Sequence, residues 1–131
     1  MLFASALRLS SIKRCASIGI DEFATAKGHI YKTIVVDIET GHIIYVGEGK
    51  GKDALVKFWR RVKRANVQIQ TVLSDLSPAF IASVRENAPD AIHVYDHFHV
   101  VKLVNEAVDA VRRQTYNNEK DAGMRQVIKG E

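Results

Sequence analysis

The alternation of hydrophobic and polar positions predicts three strands in the first third of the chain. Residues 17–21 form a short predicted strand that ends at Asp21 and is followed by Glu22, and residues 23–29 are predicted to be a turn region. Residues 30–37 and 42–46 are rich in β-branched side chains and predict two more strands. Because short turns join these strands, we expect an antiparallel meander.

An amphipathic helix is predicted over residues 52–65, after a glycine-rich loop at residues 47–51. Apolar side chains recur there at the spacing of one helix face, at Leu55, Phe58, Trp59 and Val62. The other face and the approach to it carry seven basic residues against one acid: Lys50, Lys52, Lys57, Arg60, Arg61, Lys63 and Arg64. A solvated helix face and a surface for nucleic-acid phosphates are both compatible with this charge, and both interpretations stay open.

Two strand–helix units complete the pattern. A β-rich run at residues 67–73 is followed by Asp75, and a shorter run at residues 91–95 is followed by Asp96. Each aspartate precedes a predicted helix, the first of which Ser77 can cap. The order of elements predicts an α/β fold in which helices cover both faces of a mixed sheet.

The amino-acid composition limits the class of protein but does not indicate a function. A chain of 131 residues with 47% hydrophobic and 26% charged residues is typical of one soluble globular domain. The net charge of +4 agrees with a polyanionic partner without establishing one. The single cysteine, Cys15, rules out an internal disulfide and fits a reducing compartment. No apolar run approaches the length of a membrane span, so we expect no membrane association.

Asp21 and Asp75 are the candidate catalytic and metal-binding residues. In a mixed sheet the first strand can lie beside the fourth, so that the two carboxylates meet on the order of 4–8 Å apart. Their repulsion would be relieved by a divalent cation such as Mg²⁺, and two such ions can promote phosphodiester cleavage. As alternatives, both aspartates could be ordinary turn residues, and Asp96 could simply cap the last helix.

Three segments resemble the catalytic domain of insertion-sequence transposases of the ISL-three family. These segments are GIDEFATAKGHIYKTIVVDIETG, SDLSPAFIASVRENAPDA and DHFHVVKLVNEAVDAVRRQ. The resemblance covers roughly residues 18–114 and implies a ribonuclease-H-like fold with a metal-binding DDE triad. By this resemblance, Asp21 is the first catalytic acid and Asp75 the second. Asp96 stands in the family's Asp-Arg-Phe-His signature, in which His97 here replaces the basic residue.

The resemblance also implies a function, which is metal-dependent cleavage and transfer of DNA strands. It implies Mg²⁺ or Mn²⁺ in a two-ion site, transposon ends and target DNA as partners, and a homo-oligomer in the complete transposase. The corresponding location is the bacterial cytoplasm, in association with the nucleoid. Asp96 and His99 are candidates for the edge of the site, and the candidate DNA contacts are Lys57, Arg60, Arg61, Lys63 and Arg64.

The third acid of the triad has no match in this sequence. Glu106, Glu119 and Glu131 are the late glutamates, and none fits the family's position, which lies beyond an inserted helical region. We therefore expect a disordered or remnant segment at residues 1–16, a partial ribonuclease-H-like domain at 17–115, and a polar tail at 116–131. As a transposase fragment, the chain is expected to be inactive alone. The alternatives are a non-catalytic DNA-binding remnant and an unrelated ribonuclease-H-like nuclease domain.

Overall fold

The computed structural model describes residues 16–25 and 30–128, with the side chains of Thr25 and of residues 119–128 left out. Most of the predicted segment at residues 1–16 and the predicted bend at residues 27–28 lie outside the described residues. The elements in chain order are β1 (Ser17–Thr25), β2 (Ile30–Asp37), β3 (Ile43–Glu48), a 3₁₀ turn (Lys52–Leu55), α1 (Val56–Ala65), β4 (Thr71–Ser74), α2 (Pro78–Asn87), β5 (Ile92–Tyr95) and α3 (His97–Ile128).

The described strands form one mixed sheet in the order β3–β2–β1–β4–β5. Pairing is antiparallel between β1 and β2 and between β2 and β3. It is parallel between β1 and β4 and between β4 and β5. The predicted α/β fold, a meander followed by alternating helices and strands, is therefore confirmed.

The predicted end of β1 at Asp21 is wrong, because the strand continues to Thr25. Residues 23–25, which were predicted to be in a turn, pair with residues 30–32 of β2 in unbroken antiparallel register. Phe23 also packs against the buried residues beneath α3. Asp21 consequently lies within a strand that has neighbours on both sides.

One face of the sheet is covered by α1 and α2. Trp59 of α1 donates its indole N–H to the Ser83 hydroxyl of α2 at 2.8 Å, which joins the two helices inside the core. Ser77 caps α2 by accepting a hydrogen bond from the Phe80 backbone N–H, and Pro78 occupies the first turn. The buried residues on this face are Ile18, Ile20, Val35, Ile44, Tyr45, Leu55, Phe58, Trp59, Val62, Ile69, Val72, Phe80 and Val84.

The opposite face is covered by α3, which packs across β1 and β2. Val100 of α3 packs over Gly19: a Cβ atom at Gly19 would lie in ordinary contact with Val100 Cγ1, at 3.7 Å, and closer, at 3.1 Å, to Val36 Cγ2 of the neighbouring strand β2. The helix crosses the predicted boundary between residues 115 and 116 without a break and continues to Ile128. None of the described helices has both the length and the apolar character needed to cross a membrane.

Candidate metal centre

Parallel pairing of β1 with β4 brings Asp21 and Asp75 side by side. The paired register ends at Gly19 and Leu73, and each aspartate follows two residues later. Side chains two residues apart in a strand point to the same face of the sheet. Asp21 is also paired with Ile34, which is buried beneath α3. Both carboxylates therefore face the α3 side of the sheet.

The first residue of α3 completes a cluster with these two aspartates. One carboxylate oxygen of Asp21, one of Asp75 and one ring nitrogen of His97 all lie within 4.8 Å of one another. The predicted proximity of the two carboxylates is thus confirmed. Among the residues described, the cluster contains two partly buried carboxylates and one exposed imidazole.

Local hydrogen bonds hold Asp75 at the junction of β4 and α2. Its Oδ1 accepts a hydrogen bond of 3.0 Å from the Ser77 backbone N–H, an arrangement typical of aspartate in a turn. Asp75 is therefore a turn residue, as the alternative interpretation predicted. Oδ1 accepts the hydrogen bond that closes the turn, and the carboxylate has further lone pairs with which it can bind an ion.

The electrostatics of the cluster disfavour two negative charges. Burial raises the pKa of Asp21 above its ordinary value, and the nearby Asp75 charge adds to this increase. A hydrogen bond from the Glu22 backbone and the charge of His97 act in the opposite direction. A divalent cation would stabilise both carboxylates in their ionised form.

The spacing and the donor atoms fit a divalent ion. Three atoms that lie no more than 4.8 Å from one another always share a point that is within about 2.8 Å of each of them. Mg²⁺ binds oxygen at about 2.0–2.1 Å, so side-chain movements of less than about 1 Å bring all three atoms into range. Carboxylates suit Mg²⁺ and Mn²⁺, and imidazole suits transition metals.

Asp96 and His99, which were predicted at the edge of the site, lie next to His97 in sequence but outside the cluster. Asp96 caps α3, since its Oδ1 accepts a hydrogen bond of 3.1 Å from the His99 backbone N–H. His99 Nδ1 lies 3.9 Å from Asp96 Oδ2. The sequence did not lead to a prediction of His97 as a metal ligand. The available signal was its position at the start of a helix that follows the strand next to β4.

The late glutamates supply no third acid among the described side chains. Glu106 is exposed on α3, the Glu119 side chain is not described, and Glu131 lies outside the described residues. Within the part of the chain that the structure describes, the candidate metal ligands are therefore Asp21, Asp75 and His97.

The basic helix predicted to contact DNA is α1, which packs on the other face of the sheet from the cluster. Four of its five candidate DNA contacts are exposed: Lys57, Arg60, Lys63 and Arg64. Arg61 is partly buried, and its guanidinium lies 5.4 Å from the centre of the Tyr45 ring. The helix thus presents a basic surface that is separated from the carboxylates by the sheet.

Comparison with known proteins reveals clear relatives. A DDE family model of the ISL-three type, described as transposase, matches residues 18–131. The chain is 36% identical over 113 residues to the transposase for insertion sequence element IS1557 of Mycobacterium tuberculosis, covering 85% of this chain and 24% of that protein. It is 34% identical over 115 residues to the transposase for insertion sequence element IS1001 of Bordetella parapertussis, covering 86% of this chain and 28% of that protein. The chain thus spans about a quarter of the length of these curated relatives.

A solved structure resembles the fold. The catalytic core domain of BIV integrase superposes with a TM-score of 0.52 at 13% identity, covering 81% of this chain and 72% of that one. At this level of identity the likeness concerns the fold, and it confirms the predicted ribonuclease-H-like architecture.

Proposed function

The chain belongs to the ISL-three family of DDE transposases, and we propose that it supplies part of a catalytic domain that cleaves and joins DNA during transposition. The observation that supports this most directly is the convergence of Asp21 and Asp75 from neighbouring parallel strands. Catalytic groups in open α/β sheets collect where strands end and helices begin, as β4 and α2 do at Asp75. Family membership also removes the alternative of an unrelated ribonuclease-H-like nuclease.

In this proposal Asp21 and Asp75 bind a divalent ion, Mg²⁺ or Mn²⁺. The ion supplies Lewis-acid stabilisation of phosphate oxygens and lowers the pKa of bound water. Asp21 contributes a carboxylate from a residue that is paired with Ile34 of β2. Asp75 contributes one that is oriented by the Ser77 backbone N–H. Their ionised forms are needed to hold the ion, and binding of the ion favours those forms.

The described ligand set suits one ion better than two. A two-ion centre for phosphoryl transfer normally requires further acidic ligands beyond two carboxylates and one imidazole. We therefore infer that the 131-residue chain binds the ion weakly and cleaves DNA at a background rate. The competing hypothesis is a non-catalytic DNA-binding remnant, which keeps the fold but lacks a complete triad.

The proposed partner is DNA, as transposon ends and target, and the complete transposase would act as a homo-oligomer. The exposed basic side chains of α1 support contact with phosphates, which would be independent of base sequence. Because α1 lies on the other face of the sheet, this contact would involve DNA that flanks the reacting phosphate. Action on chromosomal DNA implies a cytoplasmic, nucleoid-associated location.

Calorimetric titration with Mn²⁺ tests the metal centre. We expect weak binding to the unmodified chain and loss of binding in Asp75→Asn, since one of two carboxylates is removed. Asp90→Asn, in the exposed turn before β5, is the matched control for the removal of one negative charge. Equal affinity in the unmodified chain and Asp75→Asn would place the ion elsewhere. A parallel nicking assay with Mn²⁺ should remain at background, and robust nicking that is abolished by Asp21→Asn would disprove the inferred inactivity.

Salt titration of DNA binding tests the basic surface. Replacing Arg60, Lys63 and Arg64 with alanine should reduce the slope of log affinity against log salt by about one for each phosphate that the protein no longer neutralises. The control removes three exposed basic residues from α2 and α3: Arg85, Lys102 and Arg113. DNA binding that does not respond to salt, or an equal change in the control, would rule out α1 as the DNA surface.

A further inference from the structure

We propose that His97 binds the metal ion directly, and that its imidazole makes the centre favour Mn²⁺ over Mg²⁺. This inference rests on the proposed metal centre at Asp21 and Asp75. It adds a nitrogen ligand from α3 to the two carboxylates from the sheet.

The backbone of His97 is held firmly beside β1. Asp96 caps the helix through hydrogen bonds to the backbone N–H groups of His99 (3.1 Å) and Val100 (3.2 Å). Val100 is 1% exposed and packs over Gly19, where a Cβ atom would lie 3.7 Å from it. Gly19 is two residues before Asp21 on the same face of β1. The start of α3 is therefore positioned directly above the two aspartates.

The ring of His97 is available for a metal, in contrast to its neighbours. In the described part of the chain, no hydrogen bond engages its ring nitrogens, and one of them lies within 4.8 Å of both carboxylates. His93 is instead hydrogen-bonded through Nε2 to the Ser74 hydroxyl at 2.6 Å. His99 faces Asp96. Of the three histidines between residues 93 and 99, His97 alone joins the carboxylates in the cluster.

The donor set determines the preference among ions. Mg²⁺ favours oxygen ligands and retains several waters, and it gains little from an imidazole. Mn²⁺ accepts the same carboxylates and, as a transition metal, also forms a bond to imidazole nitrogen. An ion bound to Asp21, Asp75 and His97 would therefore be retained more strongly when it is Mn²⁺.

Pulsed electron paramagnetic resonance of bound Mn²⁺ provides the test. We expect a ¹⁴N coupling from a directly bound imidazole in the unmodified chain and in His99→Gln, and no such coupling in His97→Gln. His99→Gln is the matched control, because this exposed histidine lies two residues further along α3 and outside the cluster. Calorimetry should show a Mn²⁺ affinity that falls at least about tenfold in His97→Gln, the scale on which altered ligation affects metal affinity. Mg²⁺ affinity should fall by a smaller factor.

The outcomes separate this inference from the metal centre itself. If Mn²⁺ binding requires Asp75 but shows no ¹⁴N coupling, the carboxylate site stands and the direct role of His97 is wrong. An imidazolium ion paired with the carboxylates would produce that result. If Asp75→Asn leaves Mn²⁺ binding unchanged, the metal centre fails and the inference fails with it. Equal losses of Mn²⁺ and Mg²⁺ affinity in His97→Gln would overturn the proposed selectivity.

Discussion

Neutralising Asp21 should stabilise the metal-free protein, because burial disfavours its charged carboxylate and the nearby charge of Asp75 adds to this cost. At a separation of 4.8 Å, two unit charges repel by about 3.5 kcal/mol at an effective dielectric constant of 20, and by about 0.9 kcal/mol in bulk water. Burial of the Asp21 carboxylate is the largest cost of its charge, whereas the charge of His97 opposes that cost more strongly than the charge of Asp75 adds to it. We therefore expect Asp21→Asn to raise the free energy of unfolding by about 1–2 kcal/mol at neutral pH, which corresponds to about 3–8 °C in Tm.

The pH dependence of this stabilisation follows from the raised pKa of Asp21. Between the ordinary pKa of 3.8 and the higher pKa in the folded state, the folded protein binds more protons at this carboxyl than the unfolded chain does. Protonation of Asp21 thus favours folding below this window, and that contribution is lost as the pH rises through it. The stability difference between Asp21→Asn and the unmodified protein should be near zero at the acidic end and reach its full value above the folded-state pKa.

Thermal unfolding followed by circular dichroism, in a chelator and across this pH range, measures the effect. Asp90→Asn controls for the removal of one acidic charge from an exposed site. Added Mn²⁺ should raise the Tm of the unmodified protein but not that of Asp21→Asn, since ligands stabilise only the state that binds them. A lower Tm for Asp21→Asn in chelator, or a difference that does not vary with pH, would refute the proposed cost of the Asp21 charge.

Three further changes test the packing that positions the site, each by chemical denaturation. Trp59→Phe removes the hydrogen bond to Ser83 and should lower the free energy of unfolding by about 1–2 kcal/mol, whereas a loss below about 0.3 kcal/mol would contradict the bond. Ser77→Ala removes the cap of α2 and should cost about 1 kcal/mol; Ser77→Gly should cost less if capping is the cause. Gly19→Ala inserts a methyl group 3.1 Å from Val36 Cγ2 and should cost about 1–3 kcal/mol, and an unchanged stability would show that the Val36 side chain can move away.

The strands of the sheet could be predicted from the sequence, because burial of alternate side chains directly determines the pattern of apolar residues along each strand. Ile18 and Ile20 face α1 and α2, and Gly19 and Asp21 face α3, as strand alternation requires. The same alternation in β4 places Asp75 on the Asp21 side once the two strands pair in parallel. Two aspartates at equivalent positions of neighbouring strands could therefore be predicted to converge.

The length of β1 could not be predicted from local pattern. Residues 22–25 mix charged, aromatic and small side chains without a clear period. They form a strand because β2 offers hydrogen bonds across the sheet and because Phe23 finds buried neighbours beneath α3. Both causes involve residues distant in sequence, and a local pattern does not contain them.

The role of His97 depends on distant packing in the same way. Three histidines lie close together in sequence but have different partners: His93, His97 and His99. The first is hydrogen-bonded to the buried Ser74 hydroxyl, the second lies near the Asp21 and Asp75 carboxylates, and the third lies near the helix-capping Asp96. Residues two apart on a helix point about 200° away from each other, so His97 and His99 cannot both face the sheet. Which one faces it is decided by the rotation of α3 about its axis. The buried stripe that includes Val100 and Val104 sets that rotation, and His97 lies three and seven residues before them on the same helix face.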